Sequence, residues 1–403
     1  MIKKPELLAP AGDLERLKFA IWYGADAVYI GGTLFGLRAN ASNFTLDEIK
    51  EACDFAHPLN RKIYVTVNIA LHSEEIKSLT KYLIDLDKIG VDAIIIKDPA
   101  VISPAKKHTN LEIHLSTQQS TLNKEACLFW EEKGIKRIVL AREASKEEIE
   151  DIIKNVDIEI ETFIHGAMCC NYSGRCVLSN VFTLRDANRG GCAQICRWSF
   201  RLYNENKKEL VGNNSFTFCT KDLSSDINIP KMMDLGISSF KIEGRMRSVY
   251  YIATVVGTYR KIIDDYYHKK DTYEYNYEYG RILSSVANRD SLSQFFLGNY
   301  GMESQYYNER EEVSNQDFLG IVLDYDEKSK MALLEQRNYF KKGDTVEFFG
   351  PITSSFEYVI DNIIDENDDL VEVVRHPKQT VQIYIDRPLN KNDMMRKKRI
   401  DKK

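Results

Sequence analysis

The chain has 403 residues, 43% of them hydrophobic, enough to bury a large core and to form two domains or one large domain with an appendage. A net charge of -5 excludes a global electrostatic grip on nucleic acid or on an acidic membrane, so any polyanion needs a local basic patch. No apolar run reaches the roughly 18 to 20 residues of a membrane span, and the start, MIKKPELLAPAGD, lacks the apolar stretch of a secretory signal; no membrane contact and a cytoplasmic location are expected.

The first 265 residues alternate short β-branched runs with amphipathic segments. Strands are expected at Glu6 to Ala9, Ala27 to Ile30, Lys62 to Asn68, Ala93 to Lys97, Glu112 to Ser116, Arg137 to Leu140, Ile158 to Ile164 and Ser239 to Ile242. Between them, Asp13 to Tyr23, Thr45 to Ala56, Ser73 to Ile89 and Ser145 to Lys154 carry apolar residues at helical spacing behind Asp, Thr or Ser caps. Eight such units close most naturally as a (β/α)8 TIM-like barrel within an α/β fold. A doubly wound sheet is the alternative, disfavoured because no GxGxxG follows the first strand and GGTLFG at Gly31 to Gly36 lacks the Lys-Ser/Thr of a P-loop.

Between the seventh and eighth strands lies an insertion of some 70 residues, 168 to 238, far longer than an ordinary connection, so it is expected to hold a site or a lid at the C-terminal mouth of the barrel. Beyond the barrel domain (1 to 265), residues 266 to 314 read as a helical or irregular connection. Residues 315 to 390 show short alternating runs separated by turn residues, the pattern of a small antiparallel β-barrel. A basic tail, 391 to 403, ends in RKKRIDKK.

The insertion carries the chemistry. Glu161 to Cys196 holds five of the eight cysteines. Where thiols stay reduced, that density argues for a metal or for catalysis, whereas Cys53 and Cys127 sit in helix-like runs and are expected in the core. Cys169, Cys176, Cys192 and Cys196, with Cys170 spare, suit an iron-sulfur cluster; zinc fits the six-residue first gap less well, and a site without metal stays open. His165, four residues before Cys169, invites a Cys-His nucleophile, which an extended segment would not bring face to face. Arg175, Arg185, Arg189 and Arg197 flank the cysteines, and Glu243, Arg245 and Arg247 follow the eighth strand. On a barrel both groups would reach one mouth, where guanidinium forks suit a small anionic substrate.

At FIHGAMC, YSGRC, RDANRGGCAQIC, ELLAPAGD, ADAVYIGG, FKIEGRMRSVYYIATVV, EQRNYFKKGDTVEFFGP and RHPKQ the chain resembles the collagenase-like proteins of peptidase family U32. Its appended β domain resembles the branch that hydroxylates tRNA. That resemblance implies an iron-sulfur enzyme that converts wobble uridine to 5-hydroxyuridine with prephenate as co-substrate and no molecular oxygen, with an accessory protein or electron donor unidentified. It also implies Cys169, Cys176, Cys192 and Cys196 as ligands of a 4Fe-4S cluster. Many relatives carry KDLC where this chain reads KDLS at Lys221 to Ser224, which leaves Cys219 or Cys170 as substitutes for the fourth ligand. In the site so implied, Arg245 and Arg175 would hold carboxylates, and Glu243 or His165 would move a proton. The rival readings are a collagenase-like peptidase and a non-catalytic iron-sulfur RNA-binding factor.

Overall fold

A computed structural model describes residues 3–37, 43–210, 215–287, 289–298, 301–306 and 318–397. It divides into two compact units, Met1–Glu312 and Val313–Lys403.

The first unit is built on eight parallel strands: β1 (Glu6–Pro10), β2 (Ala27–Gly31), β3 (Lys62–Val67), β4 (Ala93–Ile96), β5 (Glu112–Leu115), β6 (Arg137–Val139), β7 (Glu159–Gly166) and β8 (Ser239–Ile242). Each pairs with the next, and β8 pairs with both β7 and β1, so the sheet closes into the expected barrel. Helices α1 (Leu14–Trp22), α2 (Leu46–Ala56), α3 (Ile76–Ile89), α4 (Ile102–His108), α5 (Lys124–Glu132) and α6 (Lys146–Asn155) fill the crossovers. Capping boxes start α2 at Thr45 with Glu48 and α6 at Ser145 with Glu148, each satisfying amide donors that the first turn leaves unpaired.

Strands buried on both faces usually carry aliphatic runs. Here the barrel interior also holds a network of charges. Arg137 contacts Glu6 at 2.5 Å, Glu159 at 2.7 Å and Glu161 at 3.3 Å, and Lys241 meets Glu161 at 2.9 Å. The Tyr64 hydroxyl donates to Glu6 at 2.8 Å. Glu161 has no solvent exposure. Burial alone would raise its pKa, but the Lys241 and Arg137 charges outweigh burial and hold it below the ordinary glutamate value.

The insertion between β7 and β8 contains α7 (Leu178–Thr183), several single turns and α8 (Ile229–Asp234). A short strand, Asp222–Ser224, runs antiparallel to β7 and takes Ser291–Leu292 as a parallel neighbour. Residues of the expected connection therefore return to the barrel sheet. With α9 (Val249–Lys269) and α10 (Tyr277–Val286) they belong to the first unit, so that unit runs past the expected boundary at 265.

The second unit is an antiparallel sheet of β9 (Phe318–Asp326), β10 (Met331–Gln336), β11 (Thr345–Phe349), β12 (Phe356–Val359), β13 (Thr380–Tyr384) and β14 (Met394–Lys397) with shorter edge pieces. Phe340, Phe348, Leu334 and Ile383 lie in its core. The expected tail is corrected at its start. Strand β14 pairs with both β9 and β11, and Arg396 is buried against Glu347 at 2.7 Å, because Met394 and Met395 supply core side chains. Residues 398 to 403 of that tail lie outside the described residues.

A buried carboxylate paired with two cations leaves them uncompensated when it is removed. Glu161→Gln is expected to cost about 3 to 5 kcal/mol in urea unfolding. A loss under about 1 kcal/mol would show that the network does not hold the barrel.

Candidate active site at the barrel mouth

A cavity opens at the C-terminal ends of the barrel strands. Its polar lining includes Tyr29, Arg142, Lys241, Glu243 and Arg245. Lys241 points inward from β8 with its ammonium 4.4 Å from the Tyr29 ring centre and 5.6 Å from that of Phe163. The Arg142 guanidinium lies 3.8 Å from the Phe163 ring centre and 4.0 Å from the Glu243 carboxylate. Tyr29 donates to Glu243 at 3.3 Å. Arg245, buried, donates to Asn43 at 2.8 Å and to Thr66 at 3.4 Å. Its guanidinium occupies the space that a Cβ on Gly31 would fill, which gives a physical reason for the glycine in ADAVYIGG. Three cations against Glu243 and Glu161 leave the pocket favourable to an anion with carboxylate geometry.

The cysteine segment is packed against the same mouth. Gly166, at φ +112°, brings the backbone against the Glu243 carbonyl, and Gly174, at φ +77°, against the backbone of the cavity residue Gln118. Neither position has room for a side chain. Ser173 donates to Glu143 through its amide at 2.9 Å and its hydroxyl at 2.8 Å. Lys97 reaches the Gly174 carbonyl at 3.3 Å and Asn188 at 3.4 Å.

Three thiols of this segment meet, Cys170 sharing hydrogen bonds with Cys169 and Cys196, and Asn171 donates to the sulfurs of Cys170 at 3.2 Å and Cys176 at 3.3 Å. The Cys170 contact holds the Cys169 thiol below its usual pKa, with the Arg142 charge acting in the same direction; Cys196 is lowered by its own Cys170 contact. Among the described residues no three His, Cys, Asp or Glu side chains are drawn together as ligands of a single ion. Cys53 and Cys127 are buried, and burial pushes both thiols up to about 12, as core packing requires. Cys219 is buried on a short strand, its thiol 3.6 Å from the Thr220 carbonyl.

The expected site residues separate. Glu243 and Arg245 line the cavity, whereas Arg175 is exposed and donates to Ser120 at 3.3 Å outside the lining. Arg189 is engaged by Glu75 at 2.6 Å, anchoring the insertion to the loop after β3. His165 lies behind the barrel wall. Lys241 stands opposite Phe163 but Ile242 stands opposite His165, and this shift in register turns the imidazole away from the cavity towards α9. There it meets the Tyr259 hydroxyl at 3.2 Å. Arg142 and Lys241 were missed: one follows β6 in the position where barrel enzymes carry site residues, and the other is inward by alternation.

Burial lowers His165 to about 4, so it is neutral in the folded chain. A depressed histidine contributes stability that is present above its unfolded value, near 6.5, and is lost as pH falls towards 4. Between pH 7.5 and 5.5 the wild-type chain is expected to lose about 1 kcal/mol more unfolding free energy than His165→Gln. Equal slopes in urea titrations at the two pH values would contradict the neutral, buried assignment.

The sequence matches the family described as Peptidase family U32 over residues 12–306 and the Peptidase family U32 C-terminal domain over residues 314–396. It is 50% identical over 401 residues to tRNA hydroxylation protein P1 of Bacillus subtilis (strain 168), covering 98% of this chain and 95% of that protein. It is 32% identical over 441 residues to tRNA hydroxylation protein P of Haemophilus influenzae, covering 96% and 95%. It is 40% identical over 259 residues to the 23S rRNA 5-hydroxycytidine C2501 synthase of Escherichia coli (strain K12), covering 64% of this chain and 39% of that protein. The motif resemblance thus extends across both units, and the chain belongs to peptidase family U32.

Proposed function

We propose that this chain hydroxylates the wobble uridine of tRNA to 5-hydroxyuridine at the barrel mouth, with a 4Fe-4S cluster on the cysteine segment and prephenate as co-substrate. The observation that carries the reading is the seating of the cysteine segment on the cavity rim, where Gly166 packs on the Glu243 backbone and Gly174 on that of Gln118, both residues of the cavity lining. One small anion and one thiol-held group thereby share a single mouth. Support also comes from relatives named for tRNA hydroxylation that match nearly the whole chain.

The donor set fits a cluster. Several soft thiols line one segment, and a cluster spreads its thiolates over separate irons whereas zinc draws them to one point. Cys169, Cys176, Cys192 and Cys196 would hold it, with Cys170 as a neighbouring thiol that hydrogen-bonds to two of them. When bound, such a cluster supplies electron transfer or Lewis acidity. The chain's own residues do the rest. Arg142, Lys241 and Arg245 hold the two carboxylates of the co-substrate. Glu243, oriented by Tyr29 and Arg142, takes up or returns a proton beside it. Phe163, Val139 and Ile95 wall the cavity and limit the water in it. The acidic chain engages tRNA through a local, salt-sensitive footprint.

Two measurements test this. In a strain deleted for the gene, wild-type protein is expected to restore 5-hydroxyuridine-derived tRNA nucleosides, and Arg142→Ala or Arg245→Ala to cut them at least about tenfold, as loss of one charge-assisted contact implies. Nucleosides unchanged by the deletion would refute the hydroxylase reading, and cleavage of denatured collagen by metal-free protein would favour a peptidase. After anaerobic purification, serine at Cys169, Cys176, Cys192 or Cys196 is expected to remove most iron and sulfide while Cys170→Ser retains them. Stoichiometric zinc in place of iron would overturn the cofactor assignment.

A further inference from the structure

The insertion exposes more aromatic surface than a closed lid needs. Phe182 (55% exposed), Trp198 (47%) and Phe218 (44%) stand out from it. Phe200 joins Phe182 and Phe218, with ring centres 5.9 Å and 5.3 Å away. The support is firm: Phe200 and Phe216 exchange backbone hydrogen bonds of 2.8 Å, and the Phe218 amide donates to the Cys196 carbonyl at 3.0 Å. The aromatic faces are therefore fixed beside the cysteine segment.

Charge identifies the partner. Between Val177 and Phe218 there are six Lys and Arg residues against three Asp and Glu, in a chain whose net charge is -5; with Arg189 committed to Glu75 and Arg201 4.0 Å from Glu209, Arg185, Arg197, Lys207 and Lys208 carry the excess over Asp186 and Glu205. Arg185 and Arg201 are exposed, and Arg197 immediately precedes Trp198. Aromatic planes interleaved with guanidinium groups match an unpaired polynucleotide, whose bases stack while its phosphates meet the cations. Val181 and Leu184 are exposed on the same insertion, and the positive excess beside them suits phosphates rather than an apolar protein groove.

We propose that this aromatic and arginine surface of the insertion is a platform for unpaired RNA, on which bases stack next to the cysteine segment and from which one nucleotide reaches the barrel mouth. The inference rests on the RNA-hydroxylation reading and gives it a receiving surface on the chain for the unpaired loop that holds the target nucleotide.

The test uses anaerobically purified full-length protein and fluorescein-labelled oligouridylate of about eight nucleotides, the span of one strand-binding site, with a duplex RNA as comparison. Anisotropy is expected to show at least about tenfold tighter binding of the single strand. Phe182→Ala and Trp198→Ala are each expected to weaken it roughly 5- to 150-fold, the loss of one stacked base. Phe182→Tyr is expected to retain affinity, and iron content to stay at the wild-type level in all three, which separates lost stacking from lost folding. Unchanged affinity in both alanine variants would overturn the proposal. So would a wild-type dimer that Phe182→Ala converts to a monomer without any change in RNA affinity. Stacking-dependent binding in a chain that makes no 5-hydroxyuridine would uphold the platform and refute the hydroxylase.

Discussion

A carboxylate without solvent at the centre of a barrel persists only where cations converge on it, and Glu161 is that carboxylate. Its partners, Arg137 on β6 and Lys241 on β8, come from the strands on either side of β7, so the same contacts that neutralise it join the seam where the sheet closes. Lys241 is thereby held beneath the cavity against Tyr29 and Phe163, and Phe163 in turn carries the Arg142 guanidinium on its face. A run of paired charge and aromatic contacts leads from the barrel interior to the mouth. Lys241 thus reaches the cavity from the interior, while Arg142 and Arg245 reach it from the loops after β6 and β8.

The cysteine segment depends on that mouth in turn. Side-chain bonds from Ser173 and Lys97 hold it, and two glycines let its backbone lie flush on the rim. A substitution at Gly166 or Gly174 would act through main-chain collisions that no rotamer change relieves. The thiols are consequently presented by a braced loop, and the residues its glycines rest on, Glu243 and Gln118, also line the cavity. That sharing is the physical basis for treating the two as one site.

All eight barrel strands were legible in the sequence, because β-branched runs alternating with capped amphipathic segments leave few topologies open. Glu243 and Arg245 were legible as well, since residues just after a barrel strand reach its mouth. His165 was not: its direction depends on a one-residue shift in pairing with β8, a tertiary feature invisible to alternation. Arg175 and Arg189 looked equivalent by spacing, yet Arg189 is committed to Glu75 and Arg175 to Ser120. Arg142 lay in a stretch without cysteine or glycine to mark it, and Lys241 inside its strand was overshadowed by the Glu243 and Arg245 that follow it. Arg396 was placed in the basic tail because a basic run conceals the two methionines that draw β14 into the sheet.

The account joins a cation-lined cavity, a thiol segment and an RNA substrate in one reaction. Its central claim is tested most directly by incubating purified, iron-loaded protein with unmodified tRNA and prephenate under strict exclusion of oxygen, then measuring nucleosides by mass spectrometry. The account predicts 5-hydroxyuridine that depends on both prephenate and the intact cysteine segment. Iron-loaded protein that binds the tRNA but forms no 5-hydroxyuridine with prephenate present would contradict it.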